Sequence, residues 1–131
     1  MKRTIFVVIA FAVLFSSSLL AHHSTSMFAM DSPVTVASVV KEFRWTNPHA
    51  FLVVELKGAN GQPEEWLVEW HSTAILVRRG YSKNTLKPGD VLTLTAGKMK
   101  DGSKMMRMVR ATTADGKKIW GDDSGNNEPE R

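Results

Sequence analysis

Val34-Thr35-Val36-Ala37-Ser38-Val39-Val40-Lys41-Glu42-Phe43-Arg44-Trp45 is dominated by β-branched and aromatic side chains, the types that fit a pleated, half-buried surface. Val34 and Val36 share one parity, and Val39, Phe43 and Trp45 share the other. A strand that changes parity needs an extra residue, so a bulge is expected near Ser38. The run is then one long, bent strand. Such a strand can take part in two sheets at once, which is what a small closed barrel requires of it.

Downstream, Thr46-Asn47-Pro48-His49 reads as a turn, because proline fixes φ and lacks a donor. Phe51 to Leu56 resumes as an apolar strand, Asn60-Gly61 reverses it, and Glu65-Trp66-Leu67-Val68-Glu69-Trp70 follows with Trp66, Val68 and Trp70 on one face. The period then changes. Ser72 can cap a short helix over 73–79 that ends on two cations and Gly80. Leu86-Lys87-Pro88-Gly89-Asp90 turns the chain into Val91 to Ala96, Asp101-Gly102 turns that strand into Met105 to Thr113, and Asp115-Gly116 permits a short last strand through Ile119 and Trp120. The expected fold is all-β: a small OB-like antiparallel barrel of about five strands with a short helix after strand 3. Its expected core is Val36, Val39, Phe43, Phe51, Val53, Leu67, Val68, Ile75, Leu76, Val91, Leu94, Met106 and Val109.

The ends read differently. Lys2 and Arg3, an apolar run from Ile5 to Phe15, and small Ala21 after three serines have the layout of a cleaved secretory signal, residues 1–21. The run is shorter than the ~20 residues that span a bilayer. Residues 22–32 are expected as an N-terminal arm, 33–120 as the barrel domain and 121–131 as a disordered polar tail. The expected location is periplasmic or secreted, with no stable membrane anchor after cleavage. Losing Lys2 and Arg3 lowers the formal charge from +4 to +2, too small a field for phosphate-backbone binding, so no nucleic-acid partner is expected. The chain has no cysteine, so any metal must be held by His, Met or carboxylate.

His22-His23-Ser24, Met27-Phe28-Ala29-Met30-Asp31, the run Val39 to His49 ending in Glu-Phe-Arg-Trp-Thr-Asn-Pro-His, Arg78-Arg79-Gly80 and Leu86-Lys87-Pro88-Gly89-Asp90 together resemble a family of small exported proteobacterial proteins of unknown function. The resemblance spans nearly the whole mature domain and implies an exported single-domain protein without an assigned activity. His71 departs from the family pattern, and the resemblance places no site there.

The histidines carry the chemical content. Cleavage after Ala21 makes His22 the first residue, able to chelate through its α-amino nitrogen and ring Nδ1, with His23 or His49 supplying a further imidazole. Such a nitrogen set suits Cu(II) and resembles the histidine brace of copper carriers and lytic polysaccharide monooxygenases. Cleavage one residue earlier would place His23 third and recruit backbone amides instead. The competing reading is a solvated histidine pair, with His49 capping its own turn. Met99, Met105, Met106 and Met108 cluster around the last main hairpin; thioethers hold Cu(I), and methionine also fills cores. Trp45, Asn47, Trp66 and Trp70 outline a candidate ligand surface, and the same indoles would equally close a small core. No carboxylate spacing, nucleophile elbow or phosphate loop supports catalysis. The function expected is a small binding protein for an unidentified small ligand or protein partner, with copper handling as the alternative and a small oxidase or hydrolase third.

Overall fold

The computed structural model describes residues 25–121. The expected signal segment, His22, His23 and residues 122–131 of the expected tail lie outside the described residues. Six strands form one sheet: β1 (Val34–Arg44), β2 (Phe51–Lys57), β3 (Pro63–Glu69), β4 (Val91–Lys98), β5 (Met105–Thr113) and β6 (Lys118–Trp120), with α1 (Thr73–Arg78) between β3 and β4. The spatial order is β3-β2-β1-β4-β5-β6, and an additional β3–β5 pairing closes β1 to β5 into a barrel. The expectation of a small all-β barrel with a helix after strand 3 therefore holds. Every neighbour pairing is antiparallel except the closing one, where Leu67, Val68 and Glu69 run parallel to Met105, Met106 and Arg107.

β1 does serve two neighbours. Val34 to Val39 pair with β4 and Ser38 to Arg44 pair with β2. The register shift lies between Val40 and Glu42, two residues beyond the expected position. Ser38 and Val40 consequently face inward at 3% and 0% exposure, and Val39 faces out at 36%. Ser38 Oγ satisfies itself by donating to the Leu92 carbonyl; a hydroxyl with an internal partner costs little to bury. A serine among valines reads as a break in the pattern, yet here it is part of the inward face.

The core joins Val40, Leu52, Val54, Val68, Trp70, Leu76, Leu86, Leu92, Leu94, Met106, Met108 and Trp120, among others. Of the expected core, Val39, Val91 and Val109 are exposed instead, at 36%, 48% and 37%. Their strands point the opposite parity inward, so Val40, Leu92 and Met108 take those places. Trp70 is 1% exposed and sits among Phe43, Tyr81 and Trp120 at centroid distances of 5.2 to 5.8 Å. Trp70 is thus core, not ligand surface. Its Nε1 is buried without a hydrogen-bond partner among the described residues.

Helix α1 begins where expected, with Ser72 Oγ accepting from the Ile75 N–H, and Gly80 follows it at φ +81°, a conformation that favours glycine. Leu76 and Leu86 carry this segment into the buried core, and the Tyr81 hydroxyl donates to the Ile119 carbonyl, tying β6 down. Among the described residues no helix is long and apolar enough to cross a membrane.

The β1 register is checked by an isosteric pair. Val40→Thr puts a hydroxyl into a fully buried site and is expected to cost about 1–3 kcal/mol in urea denaturation. Val39→Thr is expected to stay within about 0.5 kcal/mol of wild type. Equal effects would contradict the shift at Val40–Glu42.

Candidate functional site at the β1–β2 turn

The turn after β1 is built from short polar side chains. Thr46 Oγ1 donates to the His49 carbonyl over 2.8 Å, the Asn47–Pro48 peptide is cis, and Thr73 Oγ1 donates to Asn47 Oδ1 over 2.6 Å. Asn47 therefore serves as a tie between the turn and the first residue of α1. Beyond the turn the ladder of β2 and β3 continues through Ala50, which accepts from the Trp70 N–H and donates to the His71 carbonyl. His49 and His71 thus flank the same end of the β2–β3 pair.

Glu69 organises this end. Trp66, Val68 and Trp70 point inward along β3, so Leu67 and Glu69 point to the outer face. Glu69 is nonetheless only 5% exposed. The parallel closure sets Arg107 of β5 directly beside it, and Arg107 NH1 donates to Glu69 Oε1 over 2.5 Å. His49 Nδ1 approaches the same oxygen at 2.8 Å. Nδ1 is therefore the ring nitrogen turned to Glu69, and Nε2 is turned away from it. Glu69 thus stands between a guanidinium and an imidazole. A carboxylate behind a histidine is the arrangement that orients metal-ligating imidazoles and raises their basicity.

His71 belongs to the same neighbourhood with a different role. Its ring packs on Trp120 with centroids 4.5 Å apart, and the Arg79 guanidinium lies over the same indole at 4.5 Å. Burial, followed by the charges of Arg107, Arg79 and His49, lowers its pKa below the ordinary histidine value. The neutral ring is the form this pocket accepts. Among the described residues no group of three His, Asp or Glu side chains converges to hold a metal, so His49 would need ligands from elsewhere.

The other expected surface residues separate. Trp45 is half-buried and meets Phe43 edge-on at 5.7 Å. Trp66 sits at the opposite end of the inner face, its Nε1 donating to Glu64 and Lys98 lying over its ring at 5.2 Å. The three indoles form no common platform. A groove of about 300 Å³ between β1 and the β2–β3 turn is lined mainly by Ala37, Val39, Leu56, Pro63 and Val91; it offers shape and apolar surface but converges few polar groups. Neither Glu69 nor Arg107 stands out as a site residue in the sequence. Their pairing depends on the β3–β5 closure, which no local pattern encodes.

The model of a family of unknown function, DUF6152, matches residues 11–107. The chain belongs to DUF6152. No curated protein and no solved structure matches it. The DUF6152 match takes in the whole turn, Glu69, His71 and Arg107, so the site lies within the family's common region.

Removing one partner of the buried pair is expected to be expensive. Glu69→Ala leaves Arg107 uncompensated and should cost about 3–5 kcal/mol in denaturant unfolding, and the double variant Glu69→Ala, Arg107→Met should recover much of that loss. A pH dependence follows from His71. Its pKa is lower folded than unfolded, so the stability it permits is complete above the unfolded value of about 6.5 and is lost as pH falls through and below it. His71→Phe should flatten the fall in stability between pH 7 and 5 relative to wild type, as read by thermal melts across that range. An unchanged slope would remove His71 from the acid limb.

Proposed function

We infer that this DUF6152 protein is an exported binding protein that takes its ligand on the outer face of β2 and β3, at His49. One observation carries the reading: Glu69, buried on an outward-facing position, meets both Arg107 and the Nδ1 of a partly exposed His49 at one oxygen, so that Nε2 is the ring nitrogen turned away from the ion pair. OB-type barrels commonly receive ligands on the strand 2–3 face and its neighbouring loops, and His49 stands where that face meets the β1–β2 turn. A buried charge cluster costs desolvation and is weak support for a purely stabilising role. Orientation of a binding group is the better account. Export rests on the layout of residues 1–21.

The same observation favours copper as a specific second reading. An imidazole held by a carboxylate presents Nε2 as a ligand, and an amino-terminal His22 would add an α-amine and a ring nitrogen, completing a tetragonal nitrogen set for Cu(II). Arg107 is charge-balanced by Glu69, which reduces its repulsion of a bound cation.

The test uses protein exported through its own signal. Intact mass should correspond to a chain beginning at His22, and Cu(II) titration should show a single tight equivalent that is lost in both His22→Ala and His49→Ala. Full-length mass in the exported fraction would contradict export with cleavage. Tight Cu(II) binding unaffected by His49→Ala would separate the metal from this site, and absence of Cu(II) binding leaves a non-metal ligand at His49, to be sought by chemical-shift changes of the His49 ring on partner capture.

A further inference from the structure

The outer face carries a second row of side chains that the His49 site does not use. Residues 25–32 lie along the end of β4 in the line of β1: Ala29 N–H donates to the Lys98 carbonyl at 2.8 Å, Lys100 N–H donates to the Met27 carbonyl at 2.9 Å, and Phe28 bridges to Met99. Met99 N–H donates to the Met105 carbonyl, and Met105 pairs with Leu67 across the barrel closure. Residues opposite one another share a face, so Phe28, Met99, Met105 and Leu67 form one row on the outside. Phe28 and Val53, the latter opposite Leu67, are buried yet stand apart from the main core. Inward-facing Met106 and Met108 belong to that core.

Met30 joins the row from above. A Cβ built on Gly97 would lie 2.8 Å from Met30 Sδ and 3.0 Å from the Ala29 carbonyl oxygen, so the thioether rests directly on the bare backbone of Gly97. Gly97 is two residues from Met99 on the same strand face and opposite Arg107. Cross-strand neighbours sit about 4.5–5.5 Å apart at Cβ, and positions i and i+2 about 7 Å apart along a strand. Unbranched methionine side chains span those gaps. Met30 is 37% exposed, and Met99 and Met105 are half-buried.

We propose that Met30, Met99 and Met105 form a thioether site for a soft monovalent cation of the Cu(I) class. Thioether sulfur is a neutral, polarizable ligand that selects Cu(I) over hard cations. Leucine or isoleucine would fill such a row with better-defined packing, whereas three methionines gather on an accessible face next to an arm held by backbone pairing. Arg107 borders the site, and its charge is taken up by Glu69 at 2.5 Å. A monovalent ion is tolerated there more readily than a divalent one. The site is distinct from the His22–His49 reading and does not depend on it.

The exported full chain, held anaerobic, is titrated with Cu(I) in competition with a chromophoric chelator. Wild type should hold a single equivalent. Met99→Leu and Met105→Leu, nearly volume-conserving changes, should each weaken affinity by about tenfold or more, and the Met30→Leu, Met99→Leu, Met105→Leu triple variant should lose it. Gly97→Ala should weaken binding while leaving all three methionines in the sequence, because the new methyl must displace Met30 or the Ala29 carbonyl. Met106→Leu and His22→Ala, His23→Ala should leave Cu(I) affinity unchanged, with near-ultraviolet circular dichroism of the buried indoles confirming the fold throughout. No Cu(I) binding by wild type, wild-type affinity in the triple variant, or loss of Cu(I) on removing the two histidines would each overturn the proposal.

Discussion

Everything on the outer face depends on how β1 is shared. Its first half pairs with β4 and its second half with β2, and the step between Val40 and Glu42 lets one strand turn from one neighbour to the other. That bend brings β3 around to β5, and the short parallel contact of Leu67 to Glu69 with Met105 to Arg107 closes the cylinder. Since a one-residue slip exchanges inner and outer faces, the same step decides that Val40 is core and Val39 is surface. It also decides that Glu69 and Arg107 meet at all.

The closure brings together two kinds of outer-face chemistry in adjacent rows. In one row Arg107, Glu69 and Phe51 lie side by side with Arg44, the first two joined by a buried ion pair. In the next, Met99, Met105, Leu67 and Val53 line up with Phe28 of the arm. Desolvating a carboxylate and a guanidinium costs several kcal/mol per ion before their attraction and hydrogen bonds offset it. An outward-facing position could have remained solvated at no such cost. Burying the pair gains a fixed geometry: the carboxylate oxygen that receives Arg107 also lies 2.8 Å from His49 Nδ1.

Much of this was legible in the residues, and the exceptions share a cause. Strand limits, the Ser72 cap and the glycine turns are local, set by dihedral preference and period, and the structure reproduces them closely. The bulge was also legible as an event, although Ser38 drew it two residues early, because a serine among valines looks like a face change until its hydroxyl finds the Leu92 carbonyl. Val91 and Val109 misled for the opposite reason: valine suits either face of a strand, so its identity does not reveal which way it points. Trp70 offered both core and surface readings, and packing against Phe43, Tyr81 and Trp120 decided between them. The pairing of Glu69 with Arg107 and the meeting of Met30 with Gly97 join segments separated by 38 and 67 positions. Such contacts follow from register around a closed barrel, which no window of sequence contains.

Glu69 connects the two outer-face rows energetically as well as geometrically. Arg107 alone beside three thioethers would repel any cation placed there, and in a partly buried setting a bare guanidinium a few ångströms away is a penalty of several kcal/mol at an effective dielectric near 20. Its 2.5 Å contact with Glu69 converts that charge into a dipole, whose field falls off faster with distance. The same carboxylate oxygen lies 2.8 Å from His49 Nδ1, so one buried oxygen stands between an imidazole on one side and a guanidinium on the other. A residue on the solvent side of a barrel strand is buried here because the β3–β5 closure sets Arg107 against it and the β1–β2 turn lays His49 beside it.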